Sequence, residues 1–99
     1  MPEHKIRDDR HKISRRKGNG QLRREVWADE QGVVTRYNLA YINHAMFTGD
    51  NGRVLGFDNN HGNHHRHYMG SIDPVDDFAS FEELEDRFDR EWSSLLTKQ

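Results

Sequence analysis

Two successive segments of this chain alternate between apolar and polar residues with a period of two, and this pattern limits what the chain can fold into. The first segment runs from Leu22 to Asp29 and the second from Val33 to Asn43, with the turn-forming residues 30–32 between them. Such alternation is typical of β-strands that bury one face, and the β-branched and aromatic content of the second segment favours the same structure. The two segments predict an antiparallel hairpin.

Two shorter segments extend this sheet. Arg53–Asp58 follows a turn that ends in Asn51-Gly52, and His64–Met69 follows the polar loop Asn59–Asn63. Because every connection is short, the simplest topology is a meander of about four antiparallel strands.

The C-terminal segment has a helical pattern instead. Ser80 and Glu83 match the S-x-x-E capping box that begins many helices. Apolar residues then recur at the spacing of one helix face: Phe81, Leu84, Phe88, Trp92, Leu95 and Leu96. The predicted fold class is therefore α+β, an antiparallel sheet of about four strands in a meander with a C-terminal helix packed on one face.

Composition predicts the domain organisation. The chain has 99 residues, enough for one domain, and only two large aliphatic side chains lie in its first twenty residues. We therefore expect a basic flexible arm, or at most a short first strand, over residues 1–20 and a single α+β domain over residues 21–99. The chain has no cysteine and no apolar run that approaches a membrane span. We expect a cytoplasmic protein without disulfides, thiolate metal sites or membrane contact.

The charge is polarised along the chain. Residues 1–24 carry nine Lys and Arg against three Asp and Glu, whereas residues 71–99 carry three against nine. A basic segment on an otherwise acidic chain indicates contact with nucleic acid or an acidic partner, and a solvated terminus is the simpler alternative. The candidate RNA-binding residues are Arg15, Arg16, Lys17, Arg24 and Arg36, and Arg23 is a further basic residue that could support them.

The segment with the clearest chemical potential is rich in histidine. Four of the seven histidines fall within His61–His67. Histidine gains and loses a proton near neutral pH, so a pair of histidines can act as acid and base in one reaction. In a strand, His65 and His67 would share one face, while His64 and Arg66 would share the other.

Three interpretations of this segment remain open. The first is metal-independent RNA cleavage, in which two histidines transfer protons and Arg66 or an arginine of the arm stabilises the charged intermediate. The second is a divalent-metal site formed by His65 and His67 with Asp58 or His61, although this spacing matches no closed zinc pattern. The third is a set of exposed histidines with no chemical role.

Three motifs together resemble a known family. They are R-Y-x-L-x-Y-I at Arg36–Ile42, the run R-V-L-G-F-D-N-x-H-G-x-H-H-R-H at Arg53–His67, and an acidic helix at Phe81–Trp92. This pattern, which covers roughly Arg15 to Leu96, resembles the TumE family of small prokaryotic toxin–antitoxin proteins. The resemblance implies a toxin with a helix-turn-helix antitoxin as its partner.

The resemblance also implies site residues. The family motif falls on Asp58, Asn59, Gly62, His65, Arg66 and His67. Many relatives have an acidic residue before the His-Arg-His, where this chain has His64. By analogy with other small toxins, we expect an RNA substrate and catalysis by Asp58, His65, Arg66 and His67, without a metal or cofactor. The alternative is a non-enzymatic or metal-binding module that acts through its complex with the antitoxin. The sequence leaves open whether the chain forms a homo-oligomer.

The register of the Asp58–His65 hairpin decides which residues can form one site. If the loop is Asn59–Asn63, Asp58 lies opposite His64 and shares a face with His64 and Arg66. A shift by one residue places it with His65 and His67 instead, because neighbouring residues on a strand face opposite ways. The family motif favours the shifted register, which we expect to arise through a bulge in the loop.

Overall fold

The structure is a computed structural model that describes residues 2–97, apart from the side chains of His61 and Thr97. The strands and the helix follow one another in this order: β1 (His4–Lys12), β2 (Gln21–Ala28), β3 (Val34–Ile42), β4 (Arg53–Asp58), β5 (His65–Tyr68), β6 (Ser71–Pro74) and α1 (Phe81–Thr97). Short 3₁₀ turns precede β2, β4 and β5. No helix within the described range is long and apolar enough to span a membrane.

All six strands form one antiparallel sheet in the order of the sequence. The α+β class, the antiparallel meander and the C-terminal helix are therefore confirmed, whereas the sheet has six strands rather than about four. The two additional strands, β1 and β6, lie at the edges. An edge strand packs little apolar surface, so its sequence lacks the alternation by which the central strands are recognised.

Strand β1 lies within the segment that we predicted as a basic flexible arm, and it pairs with β2 along its length. Its residues are almost all exposed, and charged side chains occupy both of its faces.

Strand β6 was missing from the sequence prediction for a different reason. It follows β5 through Met69 and Gly70, both at positive φ, and turns of this geometry usually carry Asn or Gly at the first position rather than Met.

The helix covers one face of the sheet, and the core lies between them. The fully buried side chains include Tyr37, Leu39 and Phe57 from the central strands and Phe88 from the helix. Phe57 and Phe88 meet edge to face with ring centroids 6.3 Å apart, which is a favoured aromatic geometry. The opposite face of the sheet carries the alternate residues, and we refer to it as the open face.

Candidate functional site

The β4–β5 hairpin adopts the register that brings the predicted carboxylate and histidines together. Asp58 lies directly opposite His65, and Gly56 lies opposite His67. Asp58, His65 and His67 therefore share the open face. The two strands pair without interruption, so the shift does not come from a bulge. It comes from His64, which joins the loop and lengthens it to residues 59–64.

The closest contact of the site joins Asp58 to His67. Asp58 Oδ2 lies 2.7 Å from His67 Nε2, and the two side chains are only 5% and 11% exposed. Although the two atoms are this close, within the described residues Nε2 has no hydrogen-bond partner. The contact is therefore electrostatic, between a buried carboxylate and one edge of the imidazole ring.

Arg53 completes this cluster and fixes the state of the histidine. Its Nη2 lies 3.1 Å from His67 Nδ1, its Nη1 lies 3.5 Å from Asp58 Oδ2, and its Nε donates to Asp50 Oδ2 at 2.8 Å. A guanidinium can only donate, so Nδ1 of His67 accepts and the ring carries its proton on Nε2, the nitrogen nearer to Asp58. We call Arg53, Asp58 and His67 the Arg–Asp–His cluster.

A bulge brings Arg53 to this face. Arg53 and Asp58 are five positions apart, an odd spacing that places residues on opposite faces of a regular strand. In β4, however, Arg53 pairs with Ile42 and Leu55 pairs with Tyr41, so Val54 is an extra residue. The bulge reverses the alternation between Arg53 and the rest of the strand.

Gly56 provides the space that Arg53 occupies. A Cβ atom at this position would lie 2.7 Å from Arg53 Cδ and 3.4 Å from its Cγ. The arginine side chain therefore crosses the strand directly over the glycine to reach His67. Sequence reasoning missed Arg53, although a glycine inside a strand signals a close approach of this kind.

His65 is the accessible histidine of the site. It is partly exposed on the open face, and among the described residues no hydrogen bond engages its ring. The imidazole is therefore available to a ligand, whereas that of His67 is held between Arg53 and Asp58.

The neighbouring residues of the open face add further unsatisfied polar groups. Within the described residues, Arg23 Nη1 and Asn38 Oδ1 are buried without hydrogen-bond partners. Arg23 also donates to Glu25. Hydrogen bonds from Arg23 and from Lys5 lower the pKa of the Glu25 carboxyl to about 2. Buried polar atoms without partners are costly, and three of them, including His67 Nε2, lie on this face.

Arg66 does not join this site. It lies on the helix side of the sheet, where its Nη2 and Nε donate to Glu91 Oε1 at 2.7 and 2.9 Å. The position follows from the alternation of the strand, since Arg66 lies between His65 and His67. The arginine beside His67 is Arg53 instead.

His64 also has a role on the helix side. Its ring stacks on Phe78 with a centroid distance of 3.6 Å, and its Nδ1 lies 2.7 Å from the hydroxyl of Tyr37. Burial, and then the charge of Asp58, raises the pKa of Tyr37, so the phenol keeps its proton and can donate it to Nδ1. Burial, followed by repulsion from His65, lowers the pKa of His64. His64 is a packed neutral ring.

The predicted RNA-binding residues are dispersed. Arg24 lies under the helix and donates to Asp89 at 2.6 Å, so it faces away from the site. The turn Arg15–Lys17 is exposed near the C-terminal end of the helix. Arg23 and Arg36 lie on the open face, where Arg36 stands over Trp27.

The geometry also bears on the metal interpretation. Within the described residues, no three His, Asp or Glu side chains are arranged to hold a metal ion. Arg53 Nη2, part of a permanently charged guanidinium, lies 3.1 Å from His67 Nδ1. This positive charge would repel a metal cation bound to Nδ1. The side chain of His61, which we considered as a ligand, lies outside the described part of the chain.

Comparison with models of known protein families, with curated proteins and with solved structures gives no match to this chain.

Proposed function

We propose that this chain is the cytoplasmic toxin of a toxin–antitoxin system and that it inhibits growth by cleaving RNA without a metal ion. The observation that carries the proposal is the Arg–Asp–His cluster with His65 beside it, on the sheet face that the helix leaves uncovered. The resemblance of the Arg53–His67 segment to the TumE family supports the biological class and implies a helix-turn-helix antitoxin as the partner.

The proposed reaction is an internal transesterification. His65, the accessible histidine, takes the proton of the ribose 2′-hydroxyl, and the 2′ oxygen forms a bond to phosphorus. The bond from phosphorus to the 5′ oxygen breaks, and His67, which enters the reaction protonated on both ring nitrogens, gives that oxygen its Nε2 proton and becomes neutral. The products are a 2′,3′-cyclic phosphate and a free 5′-hydroxyl. The His67 side chain is 11% exposed and its Nδ1 accepts from Arg53, so the ring must turn outwards, away from Arg53, and take up a second proton when RNA binds.

The remaining members of the cluster have supporting roles. Arg53 supplies the fixed positive charge that stabilises the extra negative charge on the phosphate oxygens in the transition state. Asp58 compensates the charge that His67 carries when it is protonated. This assignment gives Arg53 the role that the sequence predicted for Arg66 or an arginine of the arm.

The test is cleavage of single-stranded RNA by purified protein in the presence of EDTA. We expect His65→Ala and His67→Ala each to lower the rate by about 100-fold or more, because proton transfer contributes on that order. His11→Ala is the matched control, since His11 is an exposed histidine on β1. An RNA with 2′-deoxyribose at the cleaved position should remain intact. Circular dichroism checks that each variant is folded.

Two results would contradict the proposal. Cleavage by His65→Ala at the wild-type rate removes the catalytic assignment. If growth inhibition in cells survives both histidine substitutions, the protein acts through its complex with a partner, which is the alternative of a non-enzymatic interaction module.

A further inference from the structure

A second cluster on the open face combines an aromatic ring with two cations. Trp27 lies between Lys5 on β1 and Arg36 on β3, and each of the two is directly opposite Trp27 in the sheet. The Arg36 guanidinium carbon is 4.1 Å from the centre of the Trp27 ring, and Lys5 Nζ is 5.0 Å from it. Both distances lie within the range of a cation–π contact.

Arg36 is held in place but not enclosed. Its Nη2 forms an ion pair with Glu3 at 3.0 Å, and its side chain remains 46% exposed. A guanidinium is planar, and at 4.1 Å its central carbon is close enough for one flat face to rest on the Trp27 ring. The ion pair with Glu3 engages Nη2 at the edge of the plane. The exposure of the side chain leaves the second flat face accessible from solvent.

The position of Arg36 relates this cluster to the candidate site. Asn38, two residues further along the same face of β3, lies directly opposite Asp58. Arg36 and Asp58 are therefore diagonal neighbours across two strands, with Cα atoms about 7–8 Å apart. This separation is within reach of one or two nucleotides of an extended single strand.

We propose that Arg36, supported from behind by Trp27, is a stacking subsite for an unpaired nucleobase that flanks the cleaved phosphate. This inference rests on the proposed function and specifies its substrate as single-stranded RNA. Bases stack readily on arginine planes and on aromatic rings, and they are available for such contacts only where they are unpaired. A base stacked on Arg36 would thus be the third layer of a stack whose first two layers are Trp27 and Arg36.

The experiment measures binding separately from cleavage. The probe is a fluorescently labelled single strand with 2′-O-methyl ribose, which cannot undergo the reaction, and its affinity is measured by fluorescence anisotropy. Arg36→Lys keeps the positive charge but removes the plane, and we expect it to weaken binding by about tenfold. Arg10→Lys is the matched control, because Arg10 is an exposed arginine of the open face that lies opposite Arg23. The Arg10→Lys variant should bind the probe with unchanged affinity.

A second set of probes locates the contact. Each nucleotide in turn is replaced by an abasic residue, which keeps the phosphate and removes the base. At one position the abasic probe should bind wild-type protein about tenfold more weakly, and at that position Arg36→Lys should cause no further loss.

The outcomes separate this inference from the proposed function. If Arg36→Lys binds like the wild type, the stacking subsite is overturned, and cleavage by the wild-type protein still supports the proposed function. If Arg36→Lys weakens binding but the wild type does not cleave the unmodified RNA, the subsite is supported and the ribonuclease assignment fails. If the wild type binds no single strand, the subsite is overturned.

Discussion

At the scale of single residues, the candidate site depends on two positions that carry no proton-transfer chemistry. Val54 is the extra residue of the bulge that turns Arg53 to the open face, and Gly56 leaves the space over which the Arg53 side chain passes. Neither residue contacts a substrate in the proposed reaction. They act by fixing where a guanidinium lies relative to Asp58 and His67, and a cluster of charges at short distance depends strongly on such positions.

Gly56→Ala should disturb the site through Arg53. The new methyl group would lie 2.7 Å from Arg53 Cδ, so the arginine must move and lose its contact with His67. We expect RNA cleavage to fall by about 10- to 100-fold, as it should in Arg53→Ala. The double variant should be no worse than either single variant, because both changes remove one interaction. Additive losses would show that Gly56 acts independently of Arg53. The NMR chemical shifts of the His67 ring, which should change when its contact with Arg53 is lost, give a second measurement that does not depend on cleavage.

At the scale of elements, the helix is held to the sheet by a small part of its apolar stripe. Phe88 and Leu84 are buried, whereas Phe81, Trp92, Leu95 and Leu96 are only partly buried at the margin of the core. At its N-terminus, the Ser80 hydroxyl accepts a hydrogen bond from the Glu83 amide at 3.1 Å, as the capping box predicted. The sequence identified the stripe, but it could not rank the residues within it.

The structure predicts an order of stability losses for the helix. Phe88→Ala should lower the free energy of unfolding by about 3–5 kcal/mol, since it empties a fully buried site. Trp92→Ala should cost less, because part of its ring is exposed, and Ser80→Ala should cost about 1 kcal/mol through loss of the cap. Urea unfolding measures all three. A larger loss for Trp92→Ala than for Phe88→Ala would mean that the helix packs in a different orientation.

At the scale of the whole molecule, much of the charge polarisation is satisfied internally. Arg7 and Arg24, from the basic N-terminal part, pair with Glu85 on the acidic helix at 2.9 Å each. Lys5 pairs with Glu25 at 2.8 Å on the other face of the sheet. The basic segment therefore binds the acidic helix of its own chain, in addition to any external partner, and β1 is attached mainly by backbone hydrogen bonds and ion pairs.

Strand β1 should be the part of the sheet most sensitive to salt. Exposed ion pairs contribute about 0–1 kcal/mol each and are screened by salt, whereas the buried apolar contacts of β3 are not. We expect the β1 amides to exchange with deuterium faster at high salt than at low salt, while the β3 amides serve as the internal control. Equal protection of β1 and β3 at both salt concentrations would show that β1 is an integral part of the core.

The sequence by itself determined the elements whose residues have one buried face. The strands β2 to β5 and the helix were predicted within one or two residues, because burial on one side imposes a period of two or of 3.6 on the apolar positions. The grouping of Asp58 with His65 and His67 was also predicted, but from the resemblance of the motif to a known family. The alternation of side chains along the two strands of the hairpin allowed two registers and did not decide between them.

Only the tertiary structure decided the composition of the site and the edges of the sheet. From the sequence we expected Arg66 to be the arginine of the site. The alternation of β5 places Arg66 on the helix side of the sheet instead, where it pairs with Glu91. Arg53 replaces it because a bulge and a glycine act together, and both depend on how β4 pairs with β3. Strands β1 and β6 bury almost no apolar surface, so pairing with a neighbour, rather than periodicity, makes them strands.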